Sequence, residues 1–239
     1  MRPFRCFAAP PPGLSLEELE GVLIVIEGPD SSGRSTHIEM LSRWLEEDGY
    51  PVAQVGLKRS RLVGRELEKA MEGNVLGPRT MSLFYATDFY DQLENIIVPS
   101  LRAGSVVLAD RYVYTLMARD LVRGAEADWL DTVYGRALVP DAVFYLQVST
   151  RALADRTLAS HGGLDYWESG MDIGLSRDWF GSYVRYQRRM NDQFRALGER
   201  YRFTTINANR RIAAIHNDLK QRVTRVLQTT YPGRERAGG

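Results

Sequence analysis

Residues 28 to 36 have the types and the spacing of a phosphate-binding segment. The segment reads Gly-Pro-Asp-Ser-Ser-Gly-Arg-Ser-Thr, and Gly28, Gly33 and Ser35 match the template Gly-x4-Gly-Lys-Ser/Thr. Small residues let consecutive backbone N–H groups turn toward an anion at the start of a helix, where unpaired donors and the helix dipole favour negative charge. Ser35 stands where such loops place a hydroxyl on Mg²⁺. The segment therefore predicts a phosphate-binding loop.

Position 34 departs from this template, because Arg34 stands where lysine is expected. Arginine keeps the positive charge, but its planar guanidinium is bulkier and less adaptable than an ammonium group. The run from Leu23 to Ile26 is short, apolar and β-branched, as in a strand buried on both faces, and a helical pattern follows the loop. A glycine-rich turn without a ligand is the alternative, but strand, loop and helix in this order form the context that a phosphate-binding loop requires.

Charged residues also follow two other predicted strands. The apolar run 105–109 ends in Asp110 and Arg111. A carboxylate at the end of a strand beside the loop can hold Mg²⁺, and an adjacent arginine can bind a phosphate through two parallel hydrogen bonds. Arg59 follows the predicted strand 52–57, at the edge where ligands of open α/β sheets bind. The alternatives are a structural ion pair for Asp110 and Arg111 and a solvated turn for Arg59.

The composition is that of a globular protein with a hydrophobic core, since 44% of the 239 residues are hydrophobic and 26% are charged. The formal net charge of +1 gives no reason to expect binding to a nucleic-acid polymer. Cys6 is the only cysteine, which excludes an internal disulfide and fits a reducing, cytoplasmic location. No apolar run approaches the roughly 20 residues that span a bilayer, so no membrane association is expected.

Strands and helices alternate along most of the chain. Five short apolar runs predict strands, and apolar residues at helical spacing lie between them. Together with the phosphate-binding loop, this alternation predicts an α/β fold of the P-loop NTPase class, a three-layer sandwich with a five-stranded parallel sheet, helices on both faces and a lid segment. The predicted strands are 23–26, 52–57, 105–109, 142–148 and 203–206.

The predicted domain covers residues 21–228, between two terminal segments. Residues 1–20 contain Pro10-Pro11-Pro12 and are expected to form a flexible extension rather than a signal peptide. Residues 229–239 are expected to form a flexible tail. Residues 157–171 lose all periodicity and are rich in glycine, so they form either a disordered loop or a lid that closes over substrate.

Taken together, these residues resemble the thymidylate kinase family, P-loop kinases that transfer a phosphoryl group from ATP to a nucleoside monophosphate. The resemblance extends from about residue 21 to residue 226. The phosphate loop alone is common to many NTPases, but the loop combined with Asp-Arg-Tyr is more specific. The matching motifs are Ile-Glu-Gly-Pro-Asp-x2-Gly-x-Ser-Thr at 26–36, Leu-Phe-x3-Asp at 83–88, Asp-Arg-Tyr at 110–112, Pro-Asp at 140–141 and Asp-Tyr-Trp-Glu at 165–168.

The resemblance implies two substrates, ATP with Mg²⁺ and a nucleoside monophosphate. Asp30 would accept a hydrogen bond from the sugar 3′-hydroxyl, Phe84 would stack on the base, and Tyr166 or Trp167 would close over the nucleoside. The implied ATP-binding residues are Gly28, Pro29, Ser31, Ser32, Gly33, Arg34, Ser35 and Thr36. The implied Mg²⁺ ligands are Ser35 and Asp110. The implied substrate-binding residues are Asp30, Arg59, Phe84, Asp88, Arg111, Tyr166 and Trp167. The implied catalytic residues are Asp30, Arg34, Arg111 and Arg156.

Two departures from the family pattern bear on function. The family usually has an arginine four residues after the stacking aromatic residue, but this chain has Asp88 there. The family also places a catalytic arginine in the loop or in the lid, but residues 157–169 contain none. Arg34 and Arg156 are the arginines left for that role, and His161 is a weaker candidate.

Three functions remain open on the sequence. The first is a nucleoside monophosphate kinase that converts dTMP to dTDP. The second keeps the fold and the ATP site but phosphorylates another nucleotide, a nucleoside or another small molecule, as Asp88 suggests. The third is a catalytically weakened nucleotide-binding protein, as Arg34 suggests. The family resemblance also implies a homodimer.

Overall fold

The computed structural model describes residues 3–73 and 76–231, without the side chains of residues 160 and 161. Five strands form one parallel sheet in the order β2-β3-β1-β4-β5. This confirms the predicted α/β fold with a five-stranded parallel sheet. The strands are β1 (Val22–Glu27), β2 (Val52–Gly56), β3 (Val106–Asp110), β4 (Ala142–Gln147) and β5 (Thr204–Asn207).

Helices follow each strand and cover the sheet. The apolar spacing predicted a single helix over residues 80–101. The structure has instead a longer rod in which a π-helical turn, Leu93–Ile97, joins two α-helices. The helices are α1 (Arg34–Glu47), α2 (Gly64–Gly73), α3 (Pro78–Gln92), α4 (Val98–Arg102), α5 (Val113–Val122), α6 (Ala127–Val133), α7 (Thr150–His161), α8 (Trp179–Tyr201) and α9 (Ile212–Thr230).

The alternation of side chains along β1 separates two hydrophobic cores. Ile24 and Ile26 point to one face of the sheet, where they pack with apolar residues of α1 and α9. Leu23 and Val25 point to the other face, where they pack with α3, α5 and α8. Because successive strand residues point to opposite faces, a strand that is buried on both sides must be apolar at every position. This explains the unbroken apolar run that identified β1 in the sequence.

The N-terminal segment packs against the domain, which differs from the flexible extension that the sequence predicted. Phe4 is buried, and the ring of Phe7 makes an edge-to-face contact with Tyr114 on α5. The Phe7 N–H donates to the Ala137 carbonyl at 3.1 Å. Phe4 and Phe7 thus extend the core, a contribution that the short run before Pro10 did not reveal.

The other two segments also differ from expectation. Helix α9 continues to Thr230, and the Tyr231 hydroxyl donates to the Gly104 carbonyl at 3.1 Å, so the predicted tail is ordered as far as residue 231, while residues 232–239 lie outside the described part. The expected lid begins as helix, because α7 extends to residue 161, and the following loop is packed rather than open. Among the described residues no helix is long and apolar enough to cross a membrane.

Candidate active site

The loop between β1 and α1 adopts a conformation that small residues allow. Gly33 has a left-handed φ of 93° immediately before the first residue of α1. Gly28 lies so close to its neighbours that a Cβ there would come within 3.0 Å of the Leu146 carbonyl oxygen. Because glycine at the cap position offers no side chain, the first N–H groups of α1 are left for a ligand. Such a helix start is an anion site.

Arg34 folds back onto this loop. Its Nη1 donates to the carbonyls of Gly28, at 2.5 Å, and of Pro29. Its Nε donates to Asp110 Oδ1 at 2.8 Å, and its Nη2 lies 3.4 Å from Asp30 Oδ1. The guanidinium therefore ties the loop to the end of β3 through bonds that the point charge of a lysine could not make at once.

Asp110 and Ser35 meet at the start of α1. The Ser35 hydroxyl donates to Asp110 Oδ2 at 2.9 Å. Asp110 is the last residue of β3 and is paired with Ile26 of β1, which brings its carboxylate next to the loop. Arg59, after β2, approaches the same carboxylate at 3.7 Å. The carboxyl ends of three adjacent strands thus supply a hydroxyl, a carboxylate and two guanidinium groups.

Asp30 is the centre of a cluster of arginines. Its carboxylate forms ion pairs with Arg34, Arg111 and Arg119. Arg111 adopts a left-handed φ of 71°, and burial together with the charge of Arg119 lowers its pKa to about 9. Positive charge therefore gathers around one carboxylate beside the phosphate loop. A second anion would be stabilised there.

Glu27 holds the turn that carries Arg111. This fully buried carboxylate accepts hydrogen bonds from the Tyr112 N–H at 2.8 Å and from the Thr115 hydroxyl at 2.5 Å. Burial raises its pKa to about 7, although those hydrogen bonds and the charges of Arg34 and Arg111 offset part of the shift. The last residue of β1 is thus connected to the first turns of α5.

A cavity of about 190 Å³ opens beside the arginine cluster. One wall consists of aromatic rings from α3 and from the loop after α7, and the other wall is apolar with charged residues from α5. Planar aromatic walls with a few polar groups are typical of a site for a flat heterocycle. The lining residues are Met71, Leu76, Pro78, Met81, Tyr85, Leu116, Arg119, Asp120, Arg123, Tyr166, Trp167 and Asp172.

Arg123 fastens the loop after α7 over this cavity. Its guanidinium donates to both oxygens of Asp172, to the Tyr186 hydroxyl at 2.8 Å and to the Trp167 carbonyl at 3.2 Å. The Trp167 indole N–H in turn donates to the Met71 carbonyl at 3.0 Å, at the end of α2. The loop is therefore closed against two helices.

Sequence comparison assigns this arrangement to a family. Residues 26–219 match the family profile described as thymidylate kinase. The chain belongs to the thymidylate kinase family. A probable thymidylate kinase 2 of Saccharolobus solfataricus is 32% identical over 206 residues, which are 85% of this chain and 95% of the relative. The thymidylate kinase of Halothermothrix orenii is 29% identical over 211 residues, which are 86% of this chain and 97% of the relative.

Membership of the thymidylate kinase family makes the chain an ATP-dependent nucleoside monophosphate kinase. Residues 30–36 of the predicted phosphate loop line one open groove of about 650 Å³ beside the start of α1. The aromatic cavity is connected to this groove through Arg119, which lines the cavity and pairs with Asp30. The residues that line the groove are Asp30, Ser31, Ser32, Gly33, Arg34, Ser35, Thr36, Arg156, Ala159 and Glu168.

Most of the residues that the thymidylate kinase resemblance implied come together. Asp30, Arg34, Arg59, Arg111 and Asp110 form the charged cluster, and Tyr166 and Trp167 line the cavity. Arg156 lies at the edge of the groove, where its Nη2 donates to the Ala208 carbonyl at 2.9 Å. The side chain of His161 lies outside the described part of the chain.

Two of the predicted substrate-binding residues, Asp88 and Phe84, do not line the cavity. Asp88 is fully buried beneath the turn after β2, where it accepts hydrogen bonds from the N–H groups of Lys58, at 2.8 Å, and Ser60, at 2.9 Å. Phe84 lies outside the set of cavity-lining residues, and its neighbour Tyr85 occupies the wall instead. One residue along a helix rotates a side chain by about 100°. The charge reversal at Asp88 therefore does not face the cavity.

Sequence reasoning also missed Arg119, Arg123 and Glu168. Arg119 lies on α5 and Arg123 follows four residues later as its C-cap, so the two side chains lie on one side of the helix, and both line the cavity. The sequence did contain a signal for these two residues. It is a pair of arginines at this spacing along a mainly apolar helix that directly follows Asp-Arg-Tyr. Glu168 belonged to a matching motif, Asp-Tyr-Trp-Glu, but its side chain had been given no role.

Proposed function

We propose that this protein transfers the γ-phosphoryl group of ATP to dTMP, forming dTDP and ADP. The observation that carries the proposal is the continuity of two sites: a phosphate loop and an aromatic cavity meet at Asp30 and its arginines. The names of the relatives point to dTMP as the acceptor. An acceptor bound in the cavity would direct its 5′-phosphate toward the loop.

The residues of the chain would act mainly by positioning and by neutralising charge, which are the main sources of rate in phosphoryl transfer. The amides at the start of α1 would bind the phosphates of ATP. Arg111 would bind the acceptor phosphate, and Asp30 would accept a hydrogen bond from the sugar. Arg34 and Arg156, which both line the groove, would stabilise charge on the transferred group.

Mg²⁺ fits the oxygen atoms at the start of α1. Ser35 and Asp110 offer a hydroxyl and a carboxylate oxygen that lie 2.9 Å apart, and Mg²⁺ in kinases is held by one or two such protein ligands together with substrate phosphates. These two residues would hold the ion, which when bound neutralises negative charge on the phosphates. When the ion is not bound, Arg59 and Arg34 would balance the charge of Asp110.

A homodimer is part of the proposal. The exposed face of α3 presents Leu83, and Leu62 is exposed on the nearby segment before α2, so a second copy of the chain could cover apolar surface through its helices. Light scattering after gel filtration should give twice the mass of one chain.

The acceptor is tested by an assay that couples ADP release to a panel of dTMP, dUMP, dCMP, dGMP and thymidine. We expect the highest kcat/KM with dTMP. A higher value with another member of the panel would overturn the choice of acceptor. Absence of turnover with every member, combined with a thermal shift on addition of ATP and Mg²⁺, would favour a nucleotide-binding protein without catalysis.

Adjacent residues of α3 offer a matched pair of variants. Tyr85→Leu removes a ring that lines the cavity, whereas Phe84→Leu removes a ring that does not. We expect Tyr85→Leu to raise the KM for dTMP by about tenfold or more, since aromatic contacts contribute roughly 1 kcal/mol beyond their buried area, and Phe84→Leu to change it by less than about twofold. A larger effect from Phe84→Leu would place the acceptor elsewhere.

A further inference from the structure

Arg119 lies at the junction between the phosphate loop and the cavity. Its Nη2 is 3.4 Å from Asp30 Oδ2, and its Nη1 donates to the Tyr85 hydroxyl at 3.2 Å. The side chain is only 18% exposed. It lines the cavity rather than the groove beside α1. The guanidinium therefore faces the place where an acceptor leaves the cavity and approaches the loop.

Arg119 shares its carboxylate partner, Asp30, with two other arginines. A buried guanidinium is costly unless a well-placed anion compensates it. The Asp30 carboxylate is shared with Arg34 and Arg111, and its contacts to Arg34 and Arg119 are both 3.4 Å. The second partner is a neutral phenol. The charge of Arg119 also lowers the pKa of Arg111, as expected when two like charges lie close together.

Glu168 is a further carboxylate near this cluster, besides Asp110, which pairs with Arg34 and Arg59. Glu168 lines the groove, and burial raises its pKa while the charges of Arg111 and Arg119 offset part of that increase. Even with Glu168 ionised, the four guanidinium groups of Arg34, Arg59, Arg111 and Arg119 outnumber the carboxylates of Asp30, Asp110 and Glu168 as long as Glu27, whose pKa burial raises to about 7, holds its proton. The cluster is therefore suited to one more anion.

We propose that Arg119 is a ligand of the acceptor's 5′-phosphate, acting together with Arg111 and exchanging its long contact with Asp30 for the phosphate oxygens. This inference rests on the proposed function, because it takes a nucleoside monophosphate as the occupant of the cavity. Arg119 lines the cavity and is absent from the lining of the groove, which assigns it to the acceptor rather than to ATP. Its planar fork matches two phosphate oxygens.

The consequence is a preference for a monophosphate over its nucleoside that depends on residue 119. Arg119→Gln keeps a polar side chain but removes the charge and the fork. Binding of dTMP should weaken by about tenfold or more, the scale of a lost hydrogen bond to a charged group. Binding of thymidine should change by less than about threefold, because thymidine has no phosphate.

The experiment is calorimetric titration of the full-length protein with dTMP and with thymidine. Arg195→Gln serves as the control, since Arg195 is 67% exposed on α8 and lies outside both sites. Arg119→Lys serves as a second variant in case the glutamine variant does not fold. It keeps the charge but loses the fork, so its ratio of affinities should lie between those of the wild type and Arg119→Gln.

Equal weakening of dTMP and thymidine would show that Arg119 only supports the cavity wall at Tyr85, and would overturn the inference. Unchanged affinity for dTMP in a folded variant would overturn it as well. In both cases a wild-type protein that binds and phosphorylates dTMP would leave the proposed function standing. A wild-type protein that binds dTMP no better than thymidine would instead overturn the inference and the proposed acceptor together.

Discussion

At the scale of single residues, Arg34 is the feature that separates this loop from its template. Its guanidinium bonds to two loop carbonyls and to Asp110, and it approaches Asp30. These bonds show a site built around a fork of donors rather than around a point charge. The Arg34 guanidinium stabilises this conformation of the loop. A bound triphosphate would compete for the same donors.

Arg34→Lys is therefore expected to lower both stability and activity. The ammonium group cannot reach Gly28, Asp110 and Asp30 together, and the loss of a hydrogen bond to a charged group costs about 1.5–3 kcal/mol. Urea unfolding should show a loss of that size, and kcat/KM for ATP should fall by about tenfold. A rise in kcat/KM would mean that arginine hinders the loop, contrary to this interpretation.

The buried carboxylate of Glu27 is expected to make the stability of the fold depend on pH. Its pKa is raised from about 4.5 to about 7 in the folded state, so the folded protein holds a proton that the unfolded chain releases between these values. The stability that this proton provides is fully present below about pH 4.5 and is lost as the pH rises through 7.

Glu27→Gln should remove this dependence, because the amide keeps an oxygen for the Tyr112 N–H and cannot ionise. The unfolding free energy of the variant minus that of the wild type should increase by up to about 3 kcal/mol between pH 4.5 and pH 8. Denaturant unfolding across this range measures it. A constant difference would show that folding does not raise the pKa of Glu27.

At the scale of elements, the sequence predicted the sheet well because buried strands leave a simple signal. Each of the five apolar runs became a strand with bounds shifted by at most one residue, as with 203–206 against Thr204–Asn207. The loop, Asp110 and Arg111 could be placed together because the carboxyl ends of parallel strands share one edge.

Helices carried a weaker signal. Helix α3 has apolar residues around most of its circumference, so its sequence could not reveal whether Phe84 or Tyr85 faces the cavity. The position of Asp88 is fixed by a hydrogen bond from a turn thirty residues earlier in the chain. Arg119 and Arg123 line the cavity only because of the direction in which α5 runs from Arg111. Such long-range contacts are not encoded in local spacing.

Asp88 should act on the stability of the turn after β2 rather than on substrate charge. Asp88→Ala leaves the N–H groups of Lys58 and Ser60 without their acceptor, which costs about 1–3 kcal/mol for each buried group. Thermal and denaturant unfolding should show this loss, whereas Asp192→Ala, at a position 66% exposed on α8, should not. Full stability in Asp88→Ala would contradict the role assigned to the carboxylate.

At the scale of the whole molecule, segments far apart in the chain enclose the site. Loop residues after α7 reach the end of α2 through Trp167 and reach α5 through Arg123. The N-terminal segment packs on the other end of α5 through Phe7 and Tyr114. Helix α5 therefore links the outer packing of the domain to the arginine cluster.

Phe4→Ala tests whether the N-terminal segment belongs to the core. Phe4 is 7% exposed, and truncating a buried phenylalanine costs about 3 kcal/mol or more. We expect a corresponding loss in the free energy of unfolding with little change in KM for either substrate, while Arg5→Ala, at an exposed position, should unfold like the wild type. Equal stability of Phe4→Ala and the wild type would mean that the segment is detached in solution.

The account as a whole is tested most directly by a crystal structure with dTMP and a non-hydrolysable ATP analogue bound together. It predicts the thymine ring in the cavity lined by Tyr85 and Trp167, the phosphates of the analogue at the first N–H groups of α1, and Arg34 released from the Gly28 carbonyl. A base bound beside Phe84, or a loop still filled by the Arg34 guanidinium with no phosphate at the helix start, would contradict it.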